Sequence, residues 1–292
     1  MKPAYAHPLP RLHAPAIFSL VILCTINPFA SGQAVPKPPE KPDEKSAEQP
    51  DLINPDRPGI ADGSTVIGRR RFQIETAAQK EFRSSGGSTE HRLFFPTLLR
   101  FGVNDMWEGR VETLSGYTQT RTFDPATGIS RTDGYSPISL GFKYHWQDSK
   151  GVRHPSLGTI FRLFVPSGSS DFGSHRFQAD LRLAADIDLN DSWSLNPNVG
   201  VGVYDDGNSG VFATTLFAMT LNYFNKAKTV NPFVDVGVQG PEEKRGRTSV
   251  IVDTGVAYIL NKNLQLDASV GTGVLGRTPP HPFWAVGISI RR

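Results

Sequence analysis

The chain has 292 residues, of which 38% are hydrophobic, a formal charge of +3 and one cysteine, Cys24. It has no run of about 18 apolar residues, which excludes a helical membrane protein. The basic residues are scattered rather than gathered in a patch, so no nucleic-acid partner is expected. A transmembrane β-barrel stays open, because lumen-facing residues dilute its apolar ones.

At the N-terminus, Lys2 and Arg11 precede the short apolar stretch Ala14 to Ile26. Small residues follow at Ala30-Ser31-Gly32 and Gly32-Gln33-Ala34. This order predicts a cleaved export signal over 1–34. The stretch is too short for an anchor and holds Pro15, while Ile22-Leu23 ahead of Cys24 does not fit a lipoprotein signal. The exported chain is then expected to have no thiol, disulfide or cysteine metal ligand. Residues 35–50, rich in Pro, Lys and Glu, read as an extended tether. Residues 51–68, with Asn54-Pro55-Asp56-Arg57-Pro58-Gly59, form a rigid polar segment. It either caps the periplasmic rim or enters a barrel as a plug.

From residue 69 onward the pattern changes to alternating stretches cut by turn residues. They run Arg71–Phe82, Arg92–Val103, Met106–Thr118, Pro137–Trp146, Ser156–Pro166, His175–Leu189, Ser192–Tyr204, Val211–Phe224, Val230–Gln239, Ser249–Leu260, Leu264–Val274 and Phe283–Arg291. The clearest is His175–Leu189. There Phe177, Ala179, Leu181, Leu183, Ala185, Ile187 and Leu189 alternate with a mostly charged set. A period of two assigns one set of side chains to each face of a strand.

Asn104-Asp105, Asn190-Asp191, Asn225 to Lys228 and Asn261 to Asn263 are expected tight turns. The connections at the other end, including Arg83 to His91 and Thr120 to Tyr135, are expected loops. Gln147 to Pro155 is a long connection on the turn side. Short turns opposite longer loops are the outer-membrane pattern, and both termini then lie on the periplasmic side. Trp107, Trp146 and Trp193 sit beside turns on the apolar phase, as an interfacial girdle requires. The expected fold is therefore an all-β, transmembrane antiparallel up-and-down β-barrel of about 12 strands over 69–292. It belongs in the outer membrane of a Gram-negative bacterium, in contact with outer-membrane lipid.

Three patterns resemble an outer-membrane β-barrel family labelled as transporters of the phenol-degradation meta-cleavage pathway. They are Asp56-Arg57-Pro58 leading to Ile60-Ala61-Asp62-Gly63-Ser64 and Phe72-Gln73-Ile74-Glu75-Thr76, then Phe95 to Val103, then Phe161-Arg162-Leu163-Phe164-Val165-Pro166-Ser167-Gly168. The resemblance implies porin-like passage of small molecules, aromatic or anionic ones included. It also implies insertion by the barrel assembly machinery, although the chain ends Ile290-Arg291-Arg292 where such barrels usually end in an aromatic residue.

The inward phase supplies candidate lumen-lining, substrate-binding residues: Arg100, Glu108, Arg110, Glu112, Lys143, Arg162, Asp180 and Arg182. The arginines would attract anionic solutes and the acids would shape the field. The same charges could instead pair across strands and fill a narrow lumen. That leaves a structural or surface-interaction barrel with a closed lumen as the alternative. The C-terminal half is quieter inside, with Asn196, Asn198, Thr220, Asn222, Asp253, Asp267 and glycines, so a pore is expected along that wall. A lipid-modifying barrel enzyme is the least favoured reading. Asp171, Ser174 and His175 are the one Ser/His/Asp cluster, and groups this close in sequence seldom form a triad. No catalytic residue, metal motif or cofactor is expected.

Overall fold

A computed structural model describes residues 51–206, 210–241, 246–276 and 279–292. The expected signal, Cys24 and the tether lie outside the described residues. The strands are β1 (Phe72–Ser85), β2 (Ser88–Phe94), β3 (Thr97–Gly102), β4 (Trp107–Thr113), β5 (Tyr117–Asp124), β6 (Gly128–Tyr135), β7 (Ile138–Gln147) and β8 (Ser156–Phe164). They continue with β9 (Gln178–Asp188), β10 (Trp193–Asp205), β11 (Val211–Tyr223), β12 (Val230–Pro241), β13 (Thr248–Asn261), β14 (Leu264–Leu275) and β15 (Phe283–Arg291). Every pairing is antiparallel, and β15 pairs with β1 from Glu81↔Phe283 to Gln73↔Arg291, which closes the sheet.

Three barrel strands are broken in the middle: β2/β3, β4/β5 and β6/β7. Counted once each, they give a twelve-stranded barrel. Two of the breaks fall at prolines, Pro96 and Pro137, which have no N–H to give to a ladder. The pairing changes at these breaks. Below them β3 lies between β1 and β4, and β4 pairs with β7. Above them β2 lies between β1 and β5, and β5 pairs with β6. Among the described residues β6 has no second partner strand, and the segment after β8 covers its end, with the Ser169 amide donating to the Tyr135 carbonyl at 3.0 Å.

Two expected loops are corrected here. Residues 83–91 largely continue β1 and β2 to a turn at Gly86-Gly87, and residues 120–135 form most of the β5–β6 hairpin. Both faces of these extensions are polar, so they carry no apolar period to read. They are held by ladder hydrogen bonds instead.

The expected Asn turns have a direct cause. Asn104 Oδ1 accepts from the Met106 and Trp107 amides, both at 2.8 Å, and Asn190 Oδ1 accepts from the Ser192 and Trp193 amides at 2.9 and 3.0 Å. Each side chain replaces a backbone acceptor and so reverses the chain in a few residues. The same bonds set Trp107 and Trp193 at the rim, facing outward. Alternation divides β7 cleanly, with Leu140, Phe142 and Trp146 exposed outward and Ser139, Lys143 and His145 buried within. An apolar exterior around a charged interior is a lipid-facing barrel with a polar lumen.

Candidate channel interior

Residues 51–68 run through the barrel interior. Two glycines let them approach the wall: a Cβ on Gly102 would lie 1.7 Å from the Gly68 carbonyl oxygen, and one on Gly158 would lie 2.4 Å from that of Ser64. Amides of the segment find side-chain acceptors on the wall. The Arg57 amide donates to Glu75 at 3.0 Å, Ile60 to Asp235 at 2.8 Å, Asp62 to Asn198 at 2.8 Å and Ile67 to Glu108 at 3.0 Å. An irregular segment inside a barrel needs such partners, because its backbone groups have no ladder.

The charged wall closes on the same segment. Arg110 Nη1 donates to Asp56 at 2.6 Å, and Lys143 Nζ donates to the same carboxylate at 2.8 Å. Arg110 Nη2 and Arg182 Nη1 reach the two oxygens of Asp62, each at 3.2 Å. Arg100 forms a two-pronged pair with Glu108 at 2.8 and 2.9 Å and adds Glu75 at 3.0 Å. Arg162 grips Asp180 at 3.0 and 2.7 Å and Glu112 at 3.0 Å. All eight sequence-derived candidates therefore face the interior and are joined by ion pairs. Burying a charge is costly unless it is paired and hydrogen-bonded, and here each is. Burial alone would raise the Asp56 carboxyl. The charges of Arg100, Lys143 and Arg110 outweigh that and hold it well below the usual carboxylate range.

The opposite wall is looser. Arg57 reaches Asp267 at 2.9 Å, while Gln265 donates to the Arg57 carbonyl at 3.1 Å. Thr220, Asp235 and Asp253 stand abreast on β11, β12 and β13, and each keeps one buried oxygen without a hydrogen-bond partner among the described residues. Two cavities lie along this side. One, of about 440 Å³, is lined by Ile60, Phe94, Leu114, Ile251, Asp253 and Phe283 among others. The second, of about 670 Å³, lies toward the tight turns and is lined by Asp186, Asn196, Thr220, Asn222 and Asn231 among others. Arg57, Pro58 and Gly59 line both.

Some partners were not singled out from the sequence. Asp62 and Ser64 lie outside any strand, and Tyr204 donates to Asp180 at 3.0 Å from an inward position at the end of β10. An indirect signal existed for Asp62: the arginines of the wall call for acids from elsewhere. Ser174 Oγ donates to the Arg176 carbonyl at 2.9 Å, and so is not directed at His175. His145 lies between the Asp148 carboxylate at 3.0 Å and the Ser64 carbonyl at 3.3 Å. Among the described residues, no group of three His, Cys, Asp or Glu side chains is placed to hold a metal ion. The chain end has its own role. Arg291 donates to the Asp51 and Lys262 carbonyls at 2.8 and 2.9 Å, tying the closing strand to the start of the inner segment.

The family model described as "Putative MetA-pathway of phenol degradation" matches residues 55–285. The chain belongs to this family. The match takes in most of the inner segment, the charged wall and nearly all of the barrel. Among solved structures, the COG4313 outer membrane channel from Pseudomonas putida F1 is similar, with a TM-score of 0.63 at 11% identity over 78% of this chain and 98% of that one. The transport unit of the autotransporter AIDA-I from Escherichia coli follows, with a TM-score of 0.48 at 12% identity over 75% and 89%. At such identities the likeness with the channel is one of fold, and that fold is the outer-membrane barrel. No curated protein matches the chain.

Proposed function

We propose that the protein is an outer-membrane channel for small solutes, with residues 51–68 as its plug and the N-terminus in the periplasm. One observation carries this reading: the two cavities share Arg57, Pro58 and Gly59 as a common wall. Displacing that stretch joins them into a path along the C-terminal side. The tight Asn turns support this orientation, since they lie at the end where β1 begins and β15 ends, with long extensions at the other.

The first cavity combines apolar walls with a few polar groups, the usual make-up of a small-molecule site. Phe94, Leu114, Ile251 and Phe283 suit an apolar ring, and Arg182 suits an anionic substituent. The family's description, which concerns phenol degradation, agrees with an aromatic solute of this kind. The interior serves passage rather than catalysis, and its eight charged candidates act on the solute through their field and through the plug.

The test is conductance in a planar bilayer. The exported chain is compared with one that lacks residues 35–66. The shortened chain should conduct steadily, and the full one should be nearly closed with brief openings. A shortened barrel that folds, as judged by heat-modifiable migration, yet stays silent would favour the closed structural barrel.

A further inference from the structure

The outer face of the hairpin extensions carries an unbalanced set of charges. Outward-facing positions form two rows across β1, β2, β5 and β6. The upper row is Phe82, His91, Arg121 and Arg131, each directly opposite the next. The lower row is Lys80, Leu93, Gln119 and Asp133, and Lys80 pairs in turn with Trp284 of β15. A cleft of about 400 Å³ lies among them. Arg121 and Arg131 are exposed, and Lys80 and His91 are half-buried. None of the three permanent cations has an ion-pair partner among the described residues. The one acid of the cleft, Asp133, takes a hydrogen bond from the Tyr117 hydroxyl at 3.1 Å.

Such an arrangement is unfavourable by itself. Like charges directly opposite on adjacent strands repel. Inside the lumen the protein neutralises its cations closely, as Asp56 does for Arg110 and Lys143. Here three cations face one carboxylate on the barrel exterior.

Height supplies the second argument. From Phe72 at the turn end to Phe82, the strand advances about 33 Å. At a tilt near 40° this is about 25 Å, the thickness of the apolar band of such barrels. The upper row therefore stands at the far edge of the hydrocarbon. Aromatic residues surround it as expected at an interface: Trp284 beside Lys80, and the His91 ring between Phe82 and Phe123 at 4.8 and 5.0 Å.

We infer that Lys80, His91, Arg121 and Arg131 form a docking site for the phosphorylated diglucosamine headgroup of the outer-leaflet glycolipid, lipid A. The phosphates answer the three cations, and the acyl chains lie on the apolar wall beneath. Clustered basic side chains at headgroup depth are the usual basis of anionic-lipid recognition. The inference rests on the orientation given above, which places these hairpins on the outer side.

Two measurements test it separately. Labelling of Thr127→Cys at the β5–β6 tip in intact cells with a membrane-impermeant maleimide reads the orientation, and absence of label sinks that reading. Binding of bisphosphorylated lipid A to the full exported protein in detergent, followed by native mass spectrometry, reads the site. The R121E/R131E variant should fold normally, as heat-modifiable migration will show, and bind at least about tenfold more weakly, equivalent to about 1.4 kcal/mol. Lipid A stripped of its phosphates should bind the wild type with a similar loss. Equal binding by variant and wild type, or by phosphorylated and stripped lipid, overturns the site. Saturation by inorganic phosphate as tight as by lipid A also overturns it, assigning the cleft to a free anion.

Discussion

Asp56 and Arg110 meet at 2.6 Å across 54 positions of sequence. Arg110 faces the lumen because of its phase in β4, and Asp56 comes from a segment with no regular structure of its own. Their contact, shared with Lys143, joins the inner segment to the charged wall.

Asp56→Asn leaves Arg110 and Lys143 buried without that counter-charge. Breaking a buried pair by removing one partner costs about 3–5 kcal/mol. The variant should lose stability of that order in urea unfolding. It should also expose the Gly59-Ile60 bond to thermolysin and open more often in bilayers. A variant with unchanged protease resistance would show that the amide bonds hold the segment without the ion pair.

Gly158→Val is expected to displace the segment by sterics alone. Its Cβ would lie 2.4 Å from the Ser64 carbonyl oxygen, which is backbone and cannot rotate away. The bonds from Ser64 to Asp186 and Ser156 should break, with a loss of roughly 1–3 kcal/mol. Hydrogen exchange at the Ser64 amide, which donates to Asp186, would rise.

Acid should leave the plug locked over a wide range. Asp56 has a folded pKa below its unfolded one of about 3.9. A depressed carboxylate contributes its full stabilisation above the unfolded value and loses it as pH falls through the lower folded value. The Gly63 amide, which donates to Asp56 at 3.0 Å, should keep its protection from about pH 7 to about pH 5, after correction for intrinsic exchange, and lose it below about pH 4. Loss near pH 5 would assign the lock to a different group.

Arg110 and Arg182 should respond differently to neutralisation. The Arg110 side chain is 2% exposed and paired through both terminal nitrogens, whereas that of Arg182 is 18% exposed and lines the first cavity. Arg182→Gln should move the reversal potential of the open channel toward cation selectivity with little change in stability. Arg110→Gln should mainly destabilise. Equal shifts in selectivity from both would place Arg110 on the conducting path.

The barrel was readable along the chain because its signals are local. Period-two alternation, Asn at the reversals and Trp beside them each act within a few residues, and lipid on one side demands an unbroken apolar phase. The same alternation placed Arg100, Arg110, Arg162 and Arg182 on the inner face. Local signals fail where both faces are polar, which is why the β5–β6 hairpin reads as a loop. What the lumen charges do was decided in three dimensions. Phase directs Arg110 inward, but the partner it finds depends on where residues 51–68 run. Asp56 and Asp62 belong to no period, and their positions follow from pairing energies in a low-dielectric interior. The separation of the two cavities by Arg57, Pro58 and Gly59 is likewise a property of the closed barrel, since it needs the segment and both walls together.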